Sequence, residues 1–143
     1  MSRSRSAVRT QRCSKAQARN RLEHARKFLE VAEMTAGEAG DVEYASAAAA
    51  LAVLAGIAAS DAACCAALGR RSRGQDHLQA TELVEQVVPG GTGAAKALRR
   101  LLNLKDEAQY GFFDVGGQDL QSALRQAKIL VDFAAAVVQR QPA

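Results

Sequence analysis

Tryptophan is absent from this 143-residue chain, the other aromatics number six, and there are two prolines, two histidines and three cysteines. So few aromatic and β-branched residues leave little material for sheets, and no RNP-type aromatic motif is present for stacking bases. With His24 and His77 the only histidines, no Cys/His/Asp spacing resembles a zinc or two-metal site. The glycines of PGGTGAAK at 89–96 lack the Walker spacing and read as a helix-to-helix turn. No metal and no cofactor is expected. Cys13, Cys64 and Cys65 are an odd count, and neighbours on a helix diverge by about 100°. They predict no disulfide framework, with Cys64 and Cys65 as small core residues in a reducing cytoplasm. The basic N-terminus has no apolar run behind it, so no secretory signal is expected. The longest uncharged stretch, residues 44–60, is short and alanine-dominated for a membrane span and reads as a core helix. No membrane partner is expected.

What the chain has in excess is alanine, 31 residues of it, within a hydrophobic fraction of 48%. A length near 150 suits one domain with a core large enough to need no staples. Alanine is the strongest helix former, so the composition predicts an all-α fold.

Punctuation then divides the chain into helices. Ser14 and Gln17 have the spacing of a capping box, after which Leu22, Ala25, Leu29 and Ala32 recur at helical period until Gly37. Asp41 can cap a second helix running to Gly69, about 42 Å long. Asp76 with Gln79 offers a cap for a short helix that ends at Pro89, Gly90 and Gly91. A fourth helix starts at Thr92 and stops at Gly111, and a fifth carries Leu120, Leu124, Ala127, Leu130 or Val131, and Ala134. Short connections favour antiparallel neighbours, which predicts an up-and-down bundle of four long helices and one short one over residues 14–139. Residues 1–13 read as a disordered basic arm.

Charge is unevenly placed. Residues 1–27 carry nine Lys/Arg against Glu23 alone, a net +8, while the remainder is net −4. A basic arm suits an anionic partner. Two further basic groups are candidates for nucleic-acid binding: Arg70, Arg71 and Arg73 after the second helix, and Lys96, Arg99 and Arg100 on the fourth. Arg70 and Arg71 read first as cations at a helix C-terminus, and as phosphate ligands second.

Two charges break their own pattern. Asp61 falls in the row Leu51, Leu54, Ala58, Cys65 and Leu68, and Lys105 in the row Ala94, Leu98, Leu101 and Ala108. A charge on an apolar stripe needs a partner, a solvated groove or a use. His77, beside Asp76 at a helix start, reads as a surface residue with a proton-transfer role as the alternative.

The segment LKDEAQYG at 104–111, the helix YASAAAALAVLAGIAASDAACCAALG at 44–69, the basic loop to Asp76 and His77, and DLQSALRQAKILVDFAAAVV at 119–138 together resemble the HEPN superfamily over residues 16–138. The resemblance is to small prokaryotic members with an Arg-x-x-Ala-Asp-Tyr-type motif, here Lys105, Ala108, Gln109 and Tyr110. It implies a helical bundle that dimerises, that binds or acts on RNA, and that accompanies nucleotidyltransferase-type partners in toxin–antitoxin or defence systems. Active members are metal-independent ribonucleases in which an Arg stabilises charge and a His four to six residues on moves the proton. In this chain Lys105 takes the Arg position and Tyr110 the His position. Lysine lacks the bidentate fork, and an unperturbed tyrosine near pKa 10 is a poor shuttle at neutral pH. Arg19-Asn20 with His24, and Arg71 with His77, match the spacing away from the family's helix. The expectation is a cytoplasmic HEPN-like homodimer, catalytically degenerate, that binds RNA or a protein partner. The alternatives are a ribonuclease using Lys105 with Tyr110 or His77, and a structural bundle.

Overall fold

A computed structural model describes residues 9–38, 42–73, 77–109 and 115–140. It is an all-α bundle, as the composition predicts, with five helices and one two-stranded ribbon among the described residues. In chain order these are β1 (Thr10–Arg12), α1 (Lys15–Ala36), α2 (Val42–Leu68), β2 (Arg70–Ser72), α3 (His77–Glu85), α4 (Gly91–Gln109) and α5 (Gly117–Arg140).

The α1 start is closed as its sequence dictates. Gln17 N–H donates to Ser14 Oγ at 3.0 Å, and Ser14 N–H donates to Gln17 Oε1 at 2.8 Å. Leu22, Ala25, Leu29 and Ala32 are all buried. Asp41 and Asp76, the expected caps of α2 and α3, lie outside the described residues. Gln79 Oε1 accepts from Arg9 N–H at 3.3 Å.

The chain runs up along α1, down α2, up α4 and down α5. Val115 N–H donates to Ser46 Oγ at the start of α2, while Arg140 at the end of α5 donates to Pro89 O beside the start of α4. At the crossing of α2, α4 and α5 the helices meet over Gly56, where a Cβ would collide with Leu101 and press on Leu130. The missing side chain leaves the space that the ends of Leu101 and Leu130 fill.

The apolar face of α2 departs from its leucine row. Ala48, Ala49, Ala52, Val53, Ala59, Ala62 and Ala63 are buried, whereas Leu54 is 38% exposed and Leu51 and Leu68 are half-buried. Helix α2 is central, packed against α1, α4 and α5, and small side chains permit the close approach. By length and composition Glu43–Leu68 could cross a membrane, but two thirds of its most apolar stretch is buried inside the bundle.

The ribbon is the larger departure. Thr10–Arg12, expected within a disordered arm, pairs antiparallel with β2 in the register Thr10 with Ser72, Gln11 with Arg71 and Arg12 with Arg70. Gly69, at φ +74, closes α2 with its N–H on Cys65 O at 3.1 Å and turns the chain straight into β2. A three-residue pairing is weak by itself. Here Cys13 is bonded to Cys65, so the arm is stapled to α2 immediately after β1. This corrects the expectation that no disulfide forms. The odd count meant only that one thiol remains, and it is Cys64, buried as expected.

Candidate nucleic-acid interface

The ribbon brings together two basic segments that stand about 60 residues apart in sequence. Arg9 and Arg12 come from the arm and Arg70, Arg71 and Arg73 from the segment after α2, with Lys15, Arg19 and Arg21 on the adjoining turns of α1. Residues 9–21 and 70–73 contain no acidic side chain. Arg9, Arg12, Arg19 and Arg73 are exposed, and Arg21, Arg70 and Arg71 are partly buried.

The arginines of β2 do not serve as caps of α2. Arg70 Nη2 donates to Gln86 Oε1 at 3.2 Å. Arg71 Nη2 donates to Gln11 Oε1 across the ribbon at 3.0 Å, and its Nη1 donates to Ser72 O at 3.3 Å. These bonds hold the Arg71 guanidinium at the mouth of a hollow of about 320 Å³ between the ribbon, α1 and α2. Arg12, Arg21, Asp61 and Arg71 supply its charged groups and Gln11, Gln17 and Asn20 its amides, and the Cys13–Cys65 bridge forms part of its wall.

Asp61 lies at the edge of the buried face of α2 rather than within it, with its side chain 18% exposed. Its partner is Arg21, whose Nε is 3.8 Å from Oδ2. Burial pushes the carboxyl up to about 6, against the opposing pull of Arg21 and then Arg71. The same burial, with help from the Asp61 charge, pushes the Cys64 thiol up to about 12, so Cys64 is no nucleophile at neutral pH.

The other residues singled out in the sequence fall elsewhere. Lys96, Arg99 and Arg100 are exposed on α4, a separate element that packs on α3, which in turn packs on β2. Lys105 lies toward the far end of α4. Counted from the crossing at Gly56 and Leu101, its backbone and that of Asp61 diverge by about 14 Å along the bundle axis. The two charges that break their stripes therefore belong to different regions. His77 begins α3 on the ribbon side, while Tyr110 lies outside the described residues, as do the side chains of Lys105 and His77.

Sequence reading passed over Gln11 and Arg21, and met Arg12 only as part of the arm and Asn20 only in a spacing match with His24. Arg21 precedes Leu22 at the margin of the α1 stripe, and nothing in the local pattern links it to a residue 40 positions away. No protein-family model and no curated protein matches the chain.

Proposed function

We propose that this chain is a HEPN-like helical module that binds single-stranded RNA along its basic ribbon and does not cleave it. The observation that carries this reading is the pairing of β1 with β2, which brings five arginines onto one tethered ribbon whose segments hold no acid. Phosphate contacts dominate affinity for nucleic acid, and arginine binds phosphate through a planar fork that also stacks on bases.

The reading includes a homodimer, to which the exposed Val31, Met34, Tyr44 and Leu54 on α1 and α2 lend support. It also includes a nucleotidyltransferase-type partner, while the Cys13–Cys65 bridge, of a kind that persists in oxidising compartments, argues against the reducing cytoplasm expected from the sequence. Of the ribonuclease alternatives, Lys105 with His77 has less behind it, because His77 begins α3 on the ribbon side and Lys105 lies toward the other end of the bundle, and Lys105 with Tyr110 is the pair that the gels below address.

The test is incubation of mixed-sequence single-stranded RNA with the protein in chelator, followed by native and denaturing gels of the same reaction. The native gel is expected to show a shift and the denaturing gel full-length RNA, with Lys105→Ala behaving as the wild type. Cleavage that disappears in Lys105→Ala would contradict the reading in favour of the enzyme.

A further inference from the structure

The hollow beside the ribbon contains more than phosphate binding requires. Backbone phosphates need cations, yet Asp61 places a carboxylate among Arg12, Arg21 and Arg71, where it weakens their hold on any anion. The carboxylate is also poorly used by the fold. At 3.8 Å its contact with Arg21 is too long for a hydrogen bond, and among the described residues neither side chain makes one elsewhere. Asn20 and Arg12 line the same space, and among the described residues no side-chain hydrogen bond engages either. A partly buried carboxylate and a guanidinium side by side, each with free capacity, fit a ligand that offers a pair of donors next to a pair of acceptors.

Among the four bases, only guanine has that arrangement. Its N1–H and N2–H2 are adjacent donors for a carboxylate, and its O6 and N7 are adjacent acceptors for an arginine. Adenine and cytosine each present one amino group beside an acceptor, and uracil one N–H between two carbonyls. A volume of about 320 Å³ lies at the small end of ligand sites and accommodates one splayed base with its sugar. No aromatic ring lines the hollow, but Arg71, fixed by Gln11 and Ser72, provides a guanidinium plane on which a base can stack. We infer that this hollow takes a single guanine of the bound strand, with Asp61 accepting from N1–H and N2–H2 and Arg21 donating to O6 and N7. The inference rests on the RNA-binding reading and adds a base preference to it.

The experiment compares three oligouridylates with one central substitution, guanosine, inosine or adenosine, binding to the full-length oxidised protein. The guanosine strand is expected to bind about tenfold more tightly than the adenosine strand, with inosine between them because it lacks the 2-amino group. Asp61→Asn is expected to erase the preference while keeping salt-dependent binding. Equal affinity for all three strands, or a guanosine preference that survives Asp61→Asn, would overturn the inference and leave the RNA-binding reading standing. Failure of every strand to bind would overturn that reading, and the guanine pocket with it.

Discussion

Reducing the Cys13–Cys65 bridge is expected to destabilise the protein by about 4 kcal/mol and to lower Tm by roughly 12 °C. The size follows from the 52 residues that separate the two cysteines, since a cross-link acts largely by restricting the unfolded chain and its effect grows with the loop it closes. The folded state loses order as well. Beyond the bridge, β1 is held by its short ladder with β2, the Cys13 N–H bond to Gly69 O and the Arg9 bonds to Arg73 and Gln79. Without the staple the ribbon frays, and Arg9 and Arg12 lose their fixed place beside Arg71. RNA affinity is therefore expected to fall several-fold on reduction. Thermal melts with and without a dithiol reductant measure the first effect, and Cys13→Ser should reproduce the reduced protein under oxidising conditions. Cys64→Ala should keep the full response to reductant, because that thiol is outside the bridge. A melt unmoved by reductant would contradict the account.

Asp61→Asn is expected to stabilise the fold at neutral pH by up to about 3 kcal/mol. The carboxyl titrates near 6 in the folded protein against 3.8 ordinarily, so burial makes its charged form unfavourable by about two units. The sign follows from proton counts. Between pH 3.8 and 6 the folded state binds the proton and the unfolded state does not, so the wild type gains stability as pH falls through this window. Asparagine imitates the protonated form at every pH. The advantage of the variant should be full above pH 6, shrink through the window and vanish below pH 4. Denaturant melts of both proteins from pH 4 to 8 check this, and a variant less stable than wild type at pH 7.5 would contradict it. A residue that the fold would be more stable without fits a group kept for ligand contact. The guanosine preference is expected to fade over the same window, as the carboxyl facing Arg21 of α1, Arg12 of β1 and Arg71 of β2 takes up its proton.

The helices were legible because their signals are local. Ser14 and Gln17 sit three apart, Leu22 to Ala32 repeat at helical spacing, and Gly37 and Gly69 stop what they follow. The face of α2 was not, because an alanine helix buried on several sides has no polar half to contrast with, and its leucines are the residues too large for the closest contacts. Leu54 faces outward for that reason. The ribbon had no signal at all. Gln11 and Arg71 are polar residues in three-residue strands, and what joins them is a pairing and a disulfide across more than 50 residues. Asp61 stood out in the sequence as a charge in an apolar row. Its partner did not, since Arg21 is one of seven arginines in the first 27 residues and periodicity cannot choose among them. Arg70, Arg71 and Arg73 were legible as a basic cluster, but their union with the arm was not.

The most direct test of the ribbon as the RNA-binding surface is the salt dependence of affinity for an oligouridylate, which leaves base preference aside. Log affinity should fall linearly with log salt, and each phosphate contact on a single strand contributes about 0.7 to the slope. Changing Arg12, Arg71 and Arg73 to Gln together is predicted to reduce the slope by about 2, while changing Lys96, Arg99 and Arg100 to Gln leaves it unaltered. A slope unaffected by the ribbon variant, or one that falls with the α4 variant instead, would contradict the account.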